Sequence, residues 1–424
     1  MPPLPAADDA ADTRELHAFV LELGRALSLA GTAVNETQLR LTRIAAASGA
    51  EDARIVVLPT ALMIAFGRAG WATIEEIPQL TGALRLDQIS ELYELVKAAE
   101  RGEVEPAEGL RRMHAIRTMQ PRHGPAVTVL GYVVMTVGLC LVLQPTLADV
   151  AVAAVFGALV GCFVSVARGR QTPTVLVPVI SAIIVSALTF ELVKHGVADP
   201  GLRTLIAPLV TFLPGGVLTT ATVELASGEM VAGASRLVFG TLQMLLLAFG
   251  IVAGAELVGL PSEDAVRDQQ VNLLGWWAPW LGVVVFGLAA ALYFSAPRGA
   301  LRWLLVVLLA AWLGQVLGDR LFSAEVSGFF GALAMTPVAL AVARLPSGPP
   351  SQVTFLPAFW LLVPGALGLI GVTEVIGDPA SAGLQALVAP LASVVSIALG
   401  VLCGVSIFDG AAAAPSRLLR RAAT

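Results

Sequence analysis

The chain has 424 residues, of which 56% are hydrophobic and only 13% charged, and its formal net charge is −5. Its mean hydropathy of +0.81 lies far above that of a soluble domain, so the composition excludes an ordinary soluble protein and indicates a membrane protein. We therefore expect the lipid bilayer, and no nucleic acid, among its partners.

The N-terminal part of the chain is its polar part. Residues 1–124 carry 17 Asp/Glu and 13 Lys/Arg, whereas the remaining 300 residues carry only 14 and 13. Residues 1–12 are acidic and proline-rich, and they lack both the basic start and the apolar centre of a secretory signal. The sequence thus predicts a disordered acidic tail on a cytoplasmic domain, followed by a membrane domain.

Residues 13–124 have the pattern of a compact α/β domain. Apolar residues recur at helical spacing in four segments, and two short apolar runs around Pro59-Thr60 resemble strands. Asn35 and Gln38 are spaced as a capping box at the start of the second helix. The helices are expected at 13–29, 35–48, 86–101 and 105–118, and the strands at 54–58 and 61–67.

Enzyme motifs are missing from this domain and from the rest of the sequence. A phosphate-binding loop, a His-Glu-x-x-His motif and a Gly-x-Ser-x-Gly motif do not occur. The three cysteines lie in apolar runs, and no Cys/His cluster could hold zinc. We expect no metal and no other cofactor, and we interpret the polar domain as regulatory or gating rather than catalytic.

Ten apolar runs after residue 124 are long enough, at roughly 17–25 residues, to cross a bilayer. Lys and Arg accumulate in the loops that would face the cytoplasm if both termini are cytoplasmic. The fold class predicted is an α-helical polytopic membrane protein. The ten helices are expected at 125–147, 149–167, 173–193, 203–224, 235–257, 277–296, 300–318, 324–343, 353–376 and 383–408.

The membrane domain contains an internal repeat at an offset of 150 residues. At this offset FLPGGVLTTATVEL (212–225) falls on LVPGALGLIGVTEV (362–375), and GIVAG (250–254) falls on GVLCG (400–404). Each copy holds five helices, an odd number, so the second copy enters the membrane inverted, as in many secondary transporters. The predicted boundaries are a tail at 1–12, an α/β domain at 13–124, repeats at 125–258 and 277–410, an extracytoplasmic loop at 259–276 and a basic cytoplasmic tail at 411–424.

Each repeat carries a proline and a glycine in the middle of a span. Pro214 with Gly215 and Gly216, and Pro364 with Gly365, are expected to break their helices and to expose half-helix ends near the membrane midplane. Such ends suit the carboxylate and the ammonium of an amino acid, and Thr211, Thr219 and Thr220 could add hydroxyl contacts. The alternative is that these prolines only kink the helices for packing.

Two carboxylates follow the prolines at equal distance. Glu224 and Glu374 lie ten residues after Pro214 and Pro364, roughly 15 Å along a helix. A carboxylate within a span is costly, which makes these residues candidates for carrying protons. The alternative is that both are charges at helix ends in the headgroup region.

The stretch LPGGVLTTATVELASGEMVAGASRLVFG (213–240) resembles the signature of the threonine/serine exporter family, and GTAVNETQLRLTRIAAASG (31–49) is similar to the domain before its spans. The resemblance implies proton-driven export of L-threonine and L-serine across the bacterial inner membrane. It also assigns Gly228, Gly233 and Arg236 to the functional motif, whereas Ala386 stands where the second repeat would need an arginine.

Two other functions stay open at this stage. One is a ligand-gated channel or receptor with a cytoplasmic sensing domain, and the other is a membrane-embedded enzyme, although the spans show no cluster of catalytic residues. Assembly into a homo-oligomer is also open.

Overall fold

The computed structural model describes residues 7–66, 72–77, 84–143, 146–167, 176–196, 202–259, 274–362 and 385–422. The chain divides into two compact units. The first, called the polar unit here, comprises residues 1–122 and 223–236, and the second, the membrane unit, comprises 123–222 and 237–424. The polar unit thus includes a short segment, 223–236, that the sequence places within the first membrane repeat.

The polar unit contains four helices and three strands in its described N-terminal residues. Helix α1 begins at Ala7, within the segment expected to be a tail, and the third strand was not predicted. The elements are α1 (Ala7–Leu29), α2 (Val34–Ala47), β1 (Arg54–Leu58), β2 (Ala61–Ala65), β3 (Ala72–Glu76), α3 (Leu86–Glu100) and α4 (Pro106–Thr118).

The three strands form an antiparallel sheet in the order β1-β2-β3. Alternate residues of β1 and β2 are apolar and buried, which is the pattern of strands with one covered face. Helices α1 and α2 contact this covered face. It consists of Ile55, Val57, Leu62 and Ile64, each no more than 5% exposed.

The predicted capping box at α2 is wrong. The helix begins at Val34 after the N-cap Ala33, two residues earlier than a box on Asn35 requires, and the Asn35 side chain accepts a hydrogen bond from the N–H of Glu36 at 2.9 Å. Since Ala33 has no side-chain oxygen, the first N–H groups of this helix depend on another residue for a partner.

The remaining helices begin after residue 124. Helices α9 and α10 each pass from one unit into the other, at residues 222–223 and 236–237. The helices are α5 (Pro125–Val142), α6 (Leu147–Ala167), α7 (Leu176–Lys194), α8 (Leu202–Leu209), α9 (Gly215–Ala226), α10 (Met230–Val258), α11 (Ala278–Tyr293), α12 (Ala300–Leu321), α13 (Ala324–Ala343), α14 (Ser351–Leu362) and α15 (Gln385–Ala422).

Seven of these helices are long and apolar enough to cross a membrane, and a bent pair formed by α8 and α9 brings the number to eight. Helices α11 and α14 are apolar but shorter, and the second half of the predicted ninth span, 363–376, lies outside the described residues. The chain is therefore a polytopic α-helical membrane protein, whereas the predicted number of ten spans is not confirmed.

Helices α5 and α11 pack closely and antiparallel. A Cβ atom added to Gly138 would lie 2.5 Å from the backbone N of Phe286, and one added to Gly131 would lie 3.1 Å from the N of Tyr293. Conversely, one added to Gly282 would lie 2.7 Å from the carbonyl oxygen of Gly138. The glycines thus allow the two backbones to approach each other. The first helices of the two predicted repeats therefore run in opposite directions.

The two GxxxG steps contact their neighbours in the same way. Gly250 and Gly254 of α10 lie against α7, and Gly400 and Gly404 of α15 lie against α13. Each residue of α13 that lies near Gly400 or Gly404 stands 150 residues after a residue of α7 that lies near Gly250 or Gly254. The matching neighbours are Val179 and Phe329, Ala182 and Ala332, Ile183 and Leu333, Ser186 and Thr336, and Ala187 and Pro337.

Candidate functional site

The helix is broken where the sequence predicts it, at Pro214. Helix α8 ends in a 3₁₀ turn at Val210–Phe212, Leu213 is extended with φ −67° and ψ 128°, and α9 starts at Gly215. The two arms, Leu205–Phe212 and Gly215–Ala226, are bent by 51° relative to each other. Pro214 lacks the N–H that would continue the ladder, which explains the position of the break. The corresponding residues Pro364, Gly365 and Glu374 lie outside the described residues.

Side chains of the membrane unit donate hydrogen bonds to backbone carbonyls around the break. The hydroxyl of Tyr132 donates to the carbonyl of Pro208 at 2.7 Å, and the amide of Gln243 donates to the carbonyl of Phe212 at 3.0 Å. Tyr132 is completely buried. A broken helix in a membrane is tolerated where protein groups replace the lost backbone partners. These two contacts do so here.

The threonines expected to contact substrate differ in their surroundings. Thr219 is buried and donates to the carbonyl of Gly215 at 2.9 Å, while the hydroxyl of Thr211 lies 2.9 Å from that of Tyr132. Thr220 is half-buried. A Cβ added to Gly216 would meet open space. The side of α9 next to the break thus leaves room at Gly216, and the hydroxyl oxygens keep lone pairs that can accept from an ammonium.

Sequence reasoning missed Tyr132 and Gln243. Both stand as isolated polar residues inside apolar runs, GYVVM and TLQML. In a membrane helix such residues tend to bond across the helix interface. That signal could have identified them, although it could not have identified the carbonyls that they bind.

Replacing Tyr132 with Phe is expected to destabilise the membrane unit by about 1–3 kcal/mol, because the buried carbonyl of Pro208 would lose its donor. The melting temperature of the full-length protein in detergent measures the effect. The matched control is Ser406→Ala, which removes an exposed hydroxyl bonded only to its own helix, at Leu402. Equal melting temperatures for the Tyr132→Phe variant and the wild type would contradict the assignment.

Glu224 and Arg236 form a buried ion pair in the polar unit. The side chain of Glu224 is 0% exposed and that of Arg236 15%, and Nε of Arg236 lies 3.1 Å from Oε2 of Glu224. The contact has the distance of an ion pair without the alignment of a good hydrogen bond. Since a charge buried without a partner is costly, this pair holds the two side chains together.

The other oxygen of Glu224 caps a helix. Its Oε1 accepts a hydrogen bond from the N–H of Val34, the first residue of α2, at 3.0 Å. A carboxylate at a helix N-terminus satisfies a free N–H and also faces the positive end of the helix dipole. Glu224 therefore supplies the cap that Ala33 cannot provide.

The turn between α9 and α10 explains the glycine of the motif. The N–H of Gly228 donates to the carbonyl of Leu225 at 3.1 Å, and that of Glu229 donates to the carbonyl of Glu224 at 2.9 Å. This is a Schellman ending, which needs a left-handed residue, and Gly228 has φ +88°. The turn reverses the chain so that Arg236 reaches Glu224. Gly233 is buried on the first turns of α10.

The structure thus brings three of the predicted motif residues together, Glu224, Gly228 and Arg236. Glu224 is two residues from the end of α9, and it is ten residues, or roughly 15 Å along the helix, from Pro214. The break and the ion pair are therefore separate features of one bent segment. Within the described residues, no group of three or more His, Cys, Asp or Glu could hold a metal ion.

Comparison with known proteins gives a family match that includes both the break and the ion pair. A family model described as "Putative threonine/serine exporter" (ThrE) matches residues 18–258, from α1 to the end of α10. No solved structure matches the chain.

Several curated fungal proteins are similar to the chain. A protein of Yarrowia lipolytica named Pheromone-regulated membrane protein 10 is 24% identical over 262 residues, which are 59% of this chain and 21% of that protein. The protein of the same name from Eremothecium gossypii is 22% identical over 413 residues, 92% of this chain and 54% of that protein. An uncharacterized protein of Schizosaccharomyces pombe is 25% identical over 263 residues, 60% of this chain and 34% of that protein. The chain thus spans between about a fifth and about a half of the length of these relatives.

Proposed function

Because the family model covers more than half of its residues, the chain belongs to the threonine/serine exporter family, and we propose that it exports L-threonine and L-serine from the cytoplasm in exchange for protons. The family favours a membrane transporter over the enzyme alternative. The substrates, the coupling ion and the mechanism are parts of the proposal.

The observation that carries the proposal is the break in the span at Pro214. It places the ends of two half-helices inside an apolar unit, with their carbonyls held by Tyr132 and Gln243. Transporters of amino acids use such ends to bind the charged groups of the substrate. Gly215, Gly216, Thr211, Thr219 and Thr220 are the proposed contacts of the first repeat, and Pro364 with Gly365 the proposed counterparts of the second.

Two features support an inverted repeat as the basis of alternating access. Helices α5 and α11, the first of each proposed repeat, run antiparallel. The contacts of the GxxxG steps recur after 150 residues, between α10 and α7 and between α15 and α13. Two halves of this kind could rock about a shared substrate site.

We further propose that Glu224 exchanges the transported proton. Protonation removes its charge, which weakens both the ion pair with Arg236 and the cap on the N–H of Val34. The proton would thereby loosen the connection between the α9–α10 turn and α2. Glu374 is the proposed counterpart in the second repeat.

The proposed location is a bacterial inner membrane with both termini in the cytoplasm. The distribution of Lys and Arg supports this orientation. The relatives are fungal membrane proteins, so they support a membrane location but support neither the bacterial inner membrane nor the cytoplasmic termini.

The test compares net export with exchange in proteoliposomes that contain the full-length protein. A pH gradient should drive net movement of labelled threonine and serine by the wild type, and unlabelled threonine on the opposite side should drive counterflow without a gradient. In the Glu224→Gln variant we expect net transport to fall to the level of empty liposomes while counterflow persists, because exchange needs no net movement of protons.

The matched control is Glu229→Gln, which removes a carboxylate from the same turn but leaves the ion pair intact. It should transport like the wild type. Loss of both activities in Glu224→Gln would assign Glu224 a structural role only. Movement of amino acids that follows their own gradient in every condition, with no response to pH, would favour the channel alternative.

A further inference from the structure

The sheet of the polar unit has a second face that helices α1 and α2 do not cover. The strand register places the residues of this open face in three rows across β1, β2 and β3. The middle row is apolar, and its outer members, Val56 and Ile74, are 46% and 66% exposed. The rows are Arg54, Ala65 and Ala72, then Val56, Met63 and Ile74, then Leu58, Ala61 and Glu76.

The two charges of the open face stand at opposite corners. Arg54 begins β1 and Glu76 ends β3, and both are exposed. Two strand spacings and four residue rises separate them by about 17 Å, so they cannot reach each other within one chain. Each is also without an ion pair to any other described residue of its own chain. The face therefore carries one cation and one anion that are available to a partner.

The pattern of the open face is complementary to itself. If two copies meet face to face about a two-fold axis at about 45° to the strands, close to the other diagonal, the sheets cross at about 90°, a known packing mode of sheets. Arg54 of each copy then faces Glu76 of the other. The same operation places Ile74 over Ala65 and Val56 over Ala61, so that large side chains meet small ones, and Met63 meets its own copy at the axis.

We propose that this open face, the nine positions of the three rows, is an interface between two copies of the chain. An isologous two-fold contact requires a surface that is complementary to itself, and both the charges and the side-chain sizes of this face satisfy that requirement. The inference does not depend on the transported substrate.

The size of the face determines how the interface must be tested. Three strands of five residues cover about 250 Å², whereas a stable interface buries about 800 Å² on each partner. The contact is therefore weak between dilute molecules. Chains that share one bilayer are held at a high effective concentration, so the test uses membranes and the full-length protein.

The first experiment is crosslinking in membranes. In a chain whose native Cys140, Cys162 and Cys403 are replaced by alanine, Met63→Cys should form a disulfide-linked dimer on mild oxidation, because Met63 lies at the proposed axis. The control Glu51→Cys, exposed but outside the open face, should not. Failure of Met63→Cys to crosslink above that control would overturn the proposal.

The second experiment reverses the charges. Arg54→Glu or Glu76→Arg alone should lower the Met63→Cys dimer yield by about fivefold or more, since each places like charges at both corners. When the two variants are expressed together with different tags, the mixed dimer should recover to the wild-type yield, because each copy then meets its opposite. The exposed Arg43→Glu should have no effect.

The decisive measurement is the yield of the mixed dimer in cells that express both charge-reversed variants. The proposed pairing of Arg54 with Glu76 would be overturned if the single reversals left the dimer yield unchanged. It would also be overturned if expressing both variants together did not restore the yield. Size-exclusion profiles of each variant in detergent check folding, and rescue in the mixture cannot come from a misfolded chain. Capture of lipid or of another protein, instead of a second copy, by a photoreactive group at Ile74 would also count against the proposal.

Discussion

Replacing Arg236 with alanine is expected to destabilise the full-length protein by about 3–5 kcal/mol. The substitution leaves the carboxylate of Glu224 completely buried, with the N–H of Val34 as its remaining partner. A buried charge that loses its counter-ion costs more than the pair itself contributes, because the carboxylate keeps its desolvation cost and loses the attraction of the guanidinium. Thermal unfolding of the purified protein in detergent, followed by fluorescence size exclusion, measures the change.

The double variant Glu224→Gln/Arg236→Met tests whether the instability comes from the unpaired charge of Glu224 rather than from lost packing. It removes both charges while keeping similar volumes, and glutamine retains an oxygen for Val34, so most of the lost stability should return. The exposed ion pair between Arg117 and Glu22 provides the control. Arg117→Ala should leave the melting temperature close to that of the wild type. A double variant as unstable as Arg236→Ala would contradict the explanation.

The break at Pro214 could be predicted because its cause is local. A proline without an N–H, followed by two glycines inside an apolar run, interrupts a helix whatever surrounds it. The partners that make the break tolerable, Tyr132 and Gln243, come from helices that are distant in sequence. Their identity depends on tertiary packing, which hydrophobic periodicity does not encode.

The tertiary partners of Glu224 could not be predicted from the sequence either. Its spacing from Pro214 correctly indicates a position far along the helix from the break. The sequence gives no sign, however, that its carboxylate caps α2, nearly two hundred residues earlier in the chain. The capping box predicted at Asn35 was wrong because the local pattern, Asn-x-x-Gln, lies two residues after the observed N-cap, and the cap comes instead from Glu224, which is distant in sequence. Local rules find helix ends more reliably than they find the partners of those ends.

The repeat offset illustrates the opposite case, in which a sequence pattern predicts tertiary contacts. The two GxxxG steps were matched from the sequence alone. The residues that they contact on α7 and α13 also lie 150 positions apart, residue by residue. A glycine lets the backbone of a neighbouring helix come close, so the contact can recur at corresponding positions even though most of the facing residues differ in type. The second break at Pro364 rests on the same offset and stays a prediction.

Replacing Gly138 with leucine is expected to reduce the stability of the membrane unit by about 3 kcal/mol. A Cβ at this position would lie 2.5 Å from the backbone N and 2.8 Å from the Cα of Phe286. Backbone atoms of a packed helix cannot rotate away as a side chain can, so α5 and α11 would have to separate. Because these helices begin the two proposed repeats, the change strains the contact between them.

Gly282→Leu tests the same contact from the other helix, since its Cβ would lie 2.8 Å from the backbone N of Val142. The two substitutions should lower the melting temperature by similar amounts, and the double variant should lose less than their sum, because the first already separates the helices. Gly410→Leu is the control, a helical glycine where an added Cβ meets open space. If Gly138→Leu melted like Gly410→Leu, the close crossing of α5 and α11 would be wrong, and the antiparallel relation of the two proposed repeats would lose its main structural support.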